Sequence, residues 1–483
     1  MTDAISSELA GLDLGDVRLD RRIRSVLCRL YESPSTSPSG AMQGWAEMMG
    51  AYRLLGDERC TSEAIFRSHR EAVLERVRRH PRVLLVQDTT ELDYSTKTQQ
   101  AGRGPLSVEK RQGYFAHTQW AITPERLPLG TWHCQIRARA PEVGVSAEHK
   151  HKPIGEKESV RWLEGYQQAC SLKEAAPGVE VTSCADREGD VYEVFVEWQR
   201  RKEQGLACAE WLIRCNQNRG LLPPAGGGLP ELVPGLPARV VEQVAASEAL
   251  GCVCFEIRTK EQIRRDHGNK SLQLRQGRQV RQEIRSQRVR LRPPQRPGQP
   301  APPPVDIWVV LSKEIAPPAG QEPVDWILLT SRPADGLSKA LEVLELYEAR
   351  WDIEVFHRVL KTGCKVEELQ FKDSHQVRAL VALYMIVAWR LLYLTRLGRE
   401  CPDLPCDVVF AEEEWKSICR ITRGPGGTLA KPSLQEMIGM LAHFGGHPGR
   451  KSDGPPGAEV MWRGLQCLRC FAMAWRAFGQ DTS

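Results

Sequence analysis

The sequence predicts an α/β protein with helical ends, and three observations carry that expectation. Short β-branched apolar runs alternate with stretches of helical spacing through the middle of the chain. The first seventy-odd residues and the region from Ser374 onward carry helical spacing instead. From about Gly205 to Pro323, closely spaced strands are broken by Gly- and Pro-rich turns, the mark of a β-rich insertion. At 483 residues the chain has room for several domains with cores of their own. Its net charge is only +5, so a polyanionic partner has to be met by local patches.

Taken in order, the N-terminal region reads as helices with loops at Ser33–Gly40 and Gly56-Asp57. Residues 1–82 hold 13 Arg and no Lys against 12 Asp or Glu, which suits positioned phosphate contacts and charged solvent faces equally well. The run from Pro81 to Asp88 reads as a buried strand tipped by an acid, with strands expected at Tyr114–Ala121 and Thr131–Ala138 and a helix at Ser159–Leu172. Val179 to Ala185 repeats the pattern and ends on Asp186, where Arg187 to Asp190 opens a helix of Val191–Gln204. Taken alone, Asp186 reads first as a helix N-cap, worth about 1 kcal/mol, and only then as a metal ligand.

Within the insertion, strands are expected at Trp211–Cys215, Ala238–Val244, Cys252–Ile257, Arg288–Leu291 and Val305–Leu311. Residues 256–296 hold 13 Lys or Arg and 4 Asp or Glu, a basic ribbon suited to tracking a phosphate backbone. Val324–Thr330 is a further strand; Ser374–Leu397, Leu434–Phe444 and Ala458–Phe478 read as helices.

The stretch from Leu341 to Lys361 reads as one helix. At about 100° per residue, Arg350, Glu354 and Lys361 fall roughly −60°, −20° and −40° from Tyr347, so a phenol, two cations and a carboxylate share one face. Leu346, Ala349, Ile353, Phe356 and Leu360 form a separate apolar stripe. A solvated face with an Arg350–Glu354 pair has the same pattern. Three carboxylates from separated segments, Asp88, Asp186 and Glu354, repel one another unless a cation neutralises them, and oxygen-only donors select Mg²⁺ or Mn²⁺ over zinc.

Fifteen scattered cysteines, with no signal-peptide pattern at the N-terminus, are expected to be reduced thiols in a cytosolic protein. The most apolar stretch, Ala379–Trp389, is too short to span a bilayer, so no membrane role is expected.

With these residues in view, the chain resembles the bacterial cut-and-paste DDE transposases of the insertion-sequence-four group, in particular the transposon-five-like branch. The resemblance runs through Leu14–Asp16 with Arg18, Gly50–Arg53, Gln87–Thr90, Lys157–Ser159 with Trp162, and Asp186–Asp190. It continues through Trp326–Ser331, the spacing of Tyr347, Arg350, Glu354 and Lys361, Lys361–Gly363, and Leu441–Gly446 followed by Trp462. Gly189 stands where many relatives carry Ala, a change expected to loosen the helix start.

The resemblance implies a ribonuclease-H-like catalytic core of mixed sheet and flanking helices at 76–370, interrupted by the β-rich insertion at about 205–323. A helical domain at 1–75 would bind transposon ends, and one at 371–483 would serve dimerisation and synapsis. It makes Asp88, Asp186 and Glu354 the catalytic metal triad for Mg²⁺, with Mn²⁺ as substitute. It gives Tyr347, Arg350 and Lys361 to phosphates beside the cleavage site, Trp326 to a flipped base, and Arg22, Arg53 and, more weakly, Arg214 to DNA. The expected partners are double-stranded DNA, as transposon ends and target, and a second copy of the chain in a homodimeric synaptic complex; the expected location is the cytoplasm, at the nucleoid. The alternative is a catalytically silent DNA-binding derivative that inhibits transposition.

Overall fold

The computed structural model describes residues 5–33, 37–96, 101–140, 152–224, 229–257, 260–266, 269–275, 277–424, 429–450 and 456–478, with side chains described outside 258–276 and 458. In chain order the main elements begin with α1 (Val17–Glu32), α2 (Trp45–Leu55) and α3 (Ser62–Val77), followed by β1 (Arg82–Asp93), β2 (Gln112–Ile122) and β3 (Pro128–Arg137). Next come α4 (Val160–Ala175), β4 (Glu180–Ala185), α5 (Tyr192–Glu203), β5 (Glu210–Arg214) and α6 (Val240–Ala245). The insertion continues with β6 (Ala249–Ile257), β7 (Lys260–Asp266), β8 (Asn269–Arg275), β9 (Arg278–Leu291), β10 (Val305–Glu314) and β11 (Trp326–Thr330). The last elements are α7 (Leu337–Ala349), α8 (Asp352–Arg358), α9 (Ser374–Glu400), α10 (Glu412–Arg423), α11 (Leu434–Phe444) and α12 (Ala458–Phe478).

The chain forms two compact units. The first comprises Met1–Val145, Ala175–Val179 and Trp351–Ser483; the second comprises Ser146–Glu174 and Glu180–Arg350. In the first, α1 starts where the Asp16 carboxylate accepts the Arg18 N–H at 2.8 Å, and buries Leu19, Ile23, Val26, Leu27 and Leu30 at three- and four-residue spacing. The β1–β2–β3 array is antiparallel, with Asp88 opposite Thr118. Helix α9 is the core of this unit. It is 27 residues long, so by length and composition it passes as a membrane span, contrary to the reading of Ala379–Trp389; yet 89 % of its most apolar window is buried inside the protein.

In the second unit, β4 pairs parallel with β5, which requires the crossover supplied by α5. From β5 the sheet runs antiparallel through β11, β10, β9 and β6. The mixed sheet with flanking helices agrees with the α/β expectation. None of the fifteen cysteines is joined in a disulfide.

The local differences from expectation have physical causes. Ala238–Val244 is a helix from Val240 rather than a strand, because its buried residues Val240, Gln243 and Val244 fall at helical spacing and Gln243 donates back to the Pro237 carbonyl. Strand β1 runs on to Asp93, so Asp88 lies within the strand where its burial gives way, not at its tip. The stretch 341–361 is not one helix. At Arg350 and Glu354 the backbone N–H groups reach back three residues, to the Tyr347 and Trp351 carbonyls, and Val359–Gly363 is a π-helical turn closed by Cys364 N–H to the Val359 carbonyl at 2.9 Å. The uniform 100° rotation therefore does not run unbroken from Tyr347 to Lys361.

The basic ribbon is also less free than its composition suggests. The side chains of 258–276, His267 included, lie outside the described residues. Beyond them, Arg278 meets Glu314 at 2.7 Å, Arg290 meets Asp306 at 2.6 Å, and Arg296 is held by Glu193, so acids from other segments neutralise much of the charge.

Candidate active site and nucleic-acid interface

Asp88 follows a buried run, Val83 to Gln87, and its side chain keeps 17 % exposure. His357 Nδ1 lies 3.5 Å from Asp88 Oδ2, and its Nε2 lies 3.3 Å from the Thr118 hydroxyl on the neighbouring strand. Its ring is buried, and the adjoining Phe356 stacks on Trp120 with centroids 4.0 Å apart, which fixes α8 against the sheet. Glu354 sits three residues before His357 on α8, a spacing that puts both on one helix face, and it is half-buried. Lys361, in the π-turn, reaches Glu367 at 3.7 Å, and Glu367 also accepts the Asp93 N–H at 2.9 Å. His357 escaped the sequence reading, although extending the helical arithmetic from Glu354 by three residues would have found it.

In the second unit, Asp186 directly follows β4 and accepts the Glu188 N–H at 2.8 Å, the cap the sequence allowed. A Cβ on Gly189 would lie 2.5 Å from the Ala185 Cβ and 3.1 Å from Trp162, so glycine here serves close packing of the turn rather than loosening a helix. Asp190 is a structural acid: it accepts the N–H groups of Asn216 and Gln217 at 2.8 and 2.7 Å and pairs with Arg219.

Tyr347 is buried rather than presented on an open face, and its ring meets Trp326 edge-on at 5.5 Å. The Arg350 guanidinium lies 5.7 Å from the same ring. Burial pushes the Tyr347 phenol up to about 12 against the opposing pull of Arg350, so it stays protonated and able to donate. Arg214, at the end of β5, is pulled below its ordinary value by burial and then by the like charge of Arg187, and it also senses Tyr347, Arg350 and Asp186. The second unit thus gathers Asp186, Arg214, Trp326, Tyr347 and Arg350.

Arg22 and Arg53 are exposed on α1 and α2. The two helices pack closely: a Cβ on Gly50 would lie 3.2 Å from Arg22 Nε. Among the described residues, no three His, Cys, Asp or Glu side chains form a group gathered tightly enough to hold a metal ion; Asp88 and Glu354 belong to the first unit and Asp186 to the second.

Comparison with known families gives three matches. Residues 1–60 match the transposase DNA-binding family, residues 207–390 the transposase DDE domain, and residues 386–480 the transposase Tn5 dimerisation domain. The DDE match contains Arg214, Trp326, Tyr347, Arg350, Glu354 and Lys361, whereas Asp88 and Asp186 precede it. A DDE domain is ribonuclease-H-like, and the mixed sheet with its helices is of that class. With DNA-binding, DDE and dimerisation regions matched in that order, the chain belongs to the Tn5-like DDE transposases.

Proposed function

We propose that this transposase is catalytically active: it binds the ends of its element, cleaves them, and joins the freed 3′ ends to target DNA as a homodimeric synaptic complex. The observation that carries the reading is the company kept by Asp186 in the second unit. A carboxylate shares its electrostatic surroundings with Arg214, Arg350 and a protonated Tyr347, so an acid suited to a metal stands beside groups suited to a phosphate. Asp88 and Glu354 complete the proposed triad. All three are oxygen donors, which fits Mg²⁺, with Mn²⁺ as substitute. Bound divalent ions would activate the attacking oxygen and stabilise the leaving one.

The chain's own residues supply the rest. Tyr347 donates its O–H to a phosphate oxygen while Arg350 and Lys361 offset its charge; no covalent protein nucleophile is needed. His357 holds the Asp88 carboxylate in place. Trp326 offers a face to a base flipped from the stack, offsetting the cost of unstacking. Water attacks the phosphodiester and the 3′-oxygen leaves as a hydroxyl; that hydroxyl then attacks the opposite strand to close a hairpin, a second water opens it, and the same 3′-hydroxyl attacks target DNA. Arg22 and Arg53 contact end DNA. The working division is 1–75 for end binding, 76–370 for catalysis and 371–483 for pairing of protomers, in the cytoplasm at the nucleoid.

The test incubates the full chain with paired end DNA, a target plasmid and Mg²⁺. Hairpin and joined products are expected, lost on Asp88→Ala, Asp186→Ala or Glu354→Ala while end binding survives. Cleavage that persists in all three variants, or a stable end complex without product at any Mg²⁺ or Mn²⁺ concentration, overturns the reading; the second outcome is that of a silent inhibitor.

A further inference from the structure

Beside the Asp186 turn, the second unit holds a half-open cavity of about 220 Å³ that the roles above leave unused. Four cations line it, Lys157, Arg187, Arg219 and Arg296, against three acids, Glu188, Asp190 and Glu193. Each acid has an arginine of its own. Arg161 meets Glu188 at 2.9 Å, Arg219 pairs with Asp190, and Arg296 pairs with Glu193. Asp190 is turned fully inward, its second oxygen taken by two backbone N–H groups. The acids therefore brace the wall, while Arg187 stands exposed at the rim.

Positive charge also continues outward from this cavity. Arg187 directly follows Asp186 at the end of β4 and is exposed, so the rim of the cavity adjoins that carboxylate. Lys157 is pulled below its ordinary value by burial and by the neighbouring Arg296, against the opposing pull of Glu193. Like charges set side by side along a surface cost energy unless an anion lies over them, and a regular succession of anions is what a nucleic-acid strand supplies.

We propose that the cavity between Lys157, Arg187, Arg219 and Arg296 seats a phosphate of the DNA strand that passes Asp186, with Lys157 and Arg187 as its direct contacts. The proposal rests on the transposase reading and extends it. Arg219 and Arg296, paired with Asp190 and Glu193, shape the seat; the exposed Arg187 at the rim and Lys157 in the wall reach the phosphate. Because the contact is with the backbone, it carries no base preference and acts as a register point for the strand.

Fluorescence anisotropy over a salt series tests it, with the full chain and a labelled duplex bearing the inverted repeats that flank its gene. Lys157→Gln and Arg187→Gln should each flatten the slope of log affinity against log salt, the double variant by about 0.9 for the one phosphate lost. Arg187→Lys should keep the wild-type slope. Lys202→Gln, on α5 over the Trp198 ring, is the control for loss of a surface charge elsewhere. Thermal melting should find the variants as stable as the wild type. A wild-type slope in the double variant, or an Arg187→Lys loss as large as that of Arg187→Gln, overturns the proposal. A wild-type chain with no preference for its end duplex over a scrambled one sinks the transposase reading instead.

Discussion

Asp88 and Asp186 are expected to do the same work, yet the protein holds them by opposite means. Asp88 lies within a strand, on the edge of a buried core, with the imidazole of His357 against it and the Thr118 hydroxyl behind that ring. Asp186 lies at a strand's end, where its own turn supplies a backbone N–H and arginines from β5 and the turn supply the field. One carboxylate depends on a helix more than two hundred and fifty residues downstream; the other is set by local sequence. The side-chain arrangement around Asp88 is therefore the more vulnerable to mutation at a distance, and the Asp186 turn the more vulnerable to changes of backbone shape.

The largest expected effect removes the common role: Asp88→Ala or Asp186→Ala should each bring end cleavage to background in a gel assay with end binding retained. Survival of cleavage in only one variant would break the parity between the two acids. His357→Ala comes next, with cleavage about 10–100-fold slower at unchanged end affinity, the usual cost of losing the group that orients a metal-binding residue. A turnover equal to wild type would mean that Asp88 needs no such support. On the Asp186 side, Gly189→Ala forces a contact with Ala185 and should cost about 1–3 kcal/mol of stability, read by thermal melting. An unchanged melting temperature would show that the turn yields freely.

Lys361→Ala should weaken end binding by a modest factor and lower the salt slope by about 0.9, whereas Glu354→Gln should spare binding. Equal end affinity for wild type and Lys361→Ala in a gel-shift titration would count against the phosphate role. The smallest effect concerns pH and belongs to the first unit alone. Burial by itself would raise the Glu8 carboxyl, but His69 and the Arg76 guanidinium, 2.8 Å away, hold it down to about 2. A lowered folded value means stability present above the ordinary range near 4.5 and lost as pH falls toward 2. Glu8→Gln should thus be less stable than wild type at neutral pH, with the gap closing through that window in pH-dependent melts.

The order of elements was largely legible because it rests on local periodicity. The strands bearing or preceding Asp88 and Asp186, the long helix α9 and the final helices α11 and α12 all follow from spacing of apolar residues. What escaped was set by partners far away in sequence. The arginines of β9 look like a free cationic ribbon until Glu314 and Asp306 arrive from the facing strand. Val240 to Ala245 has strand composition, but its neighbours bury it at helical spacing. Helix α10 and the β7–β8 pair were not anticipated. For the candidate site, sequence offers residue types but not their arrangement. Tyr347 was expected on an open polar face and is packed against Trp326; His357 carries no motif of its own.

The first unit is assembled from both ends of the chain, and that arrangement has a cost in time. Strand β3 and helix α3 pack on α9, and the Trp389 indole donates to the Pro128 carbonyl at 2.9 Å, yet the whole second unit is made in between. At about 5–20 residues per second, the ribosome needs roughly a quarter of a minute to a minute to pass from Arg137 to Glu400. Throughout that interval the N-terminal segment stands with its apolar face uncovered, open to chaperones and proteases. A message truncated anywhere before α9 yields a first unit that lacks its core helix, so chain completion acts as a checkpoint on the amount of folded protein.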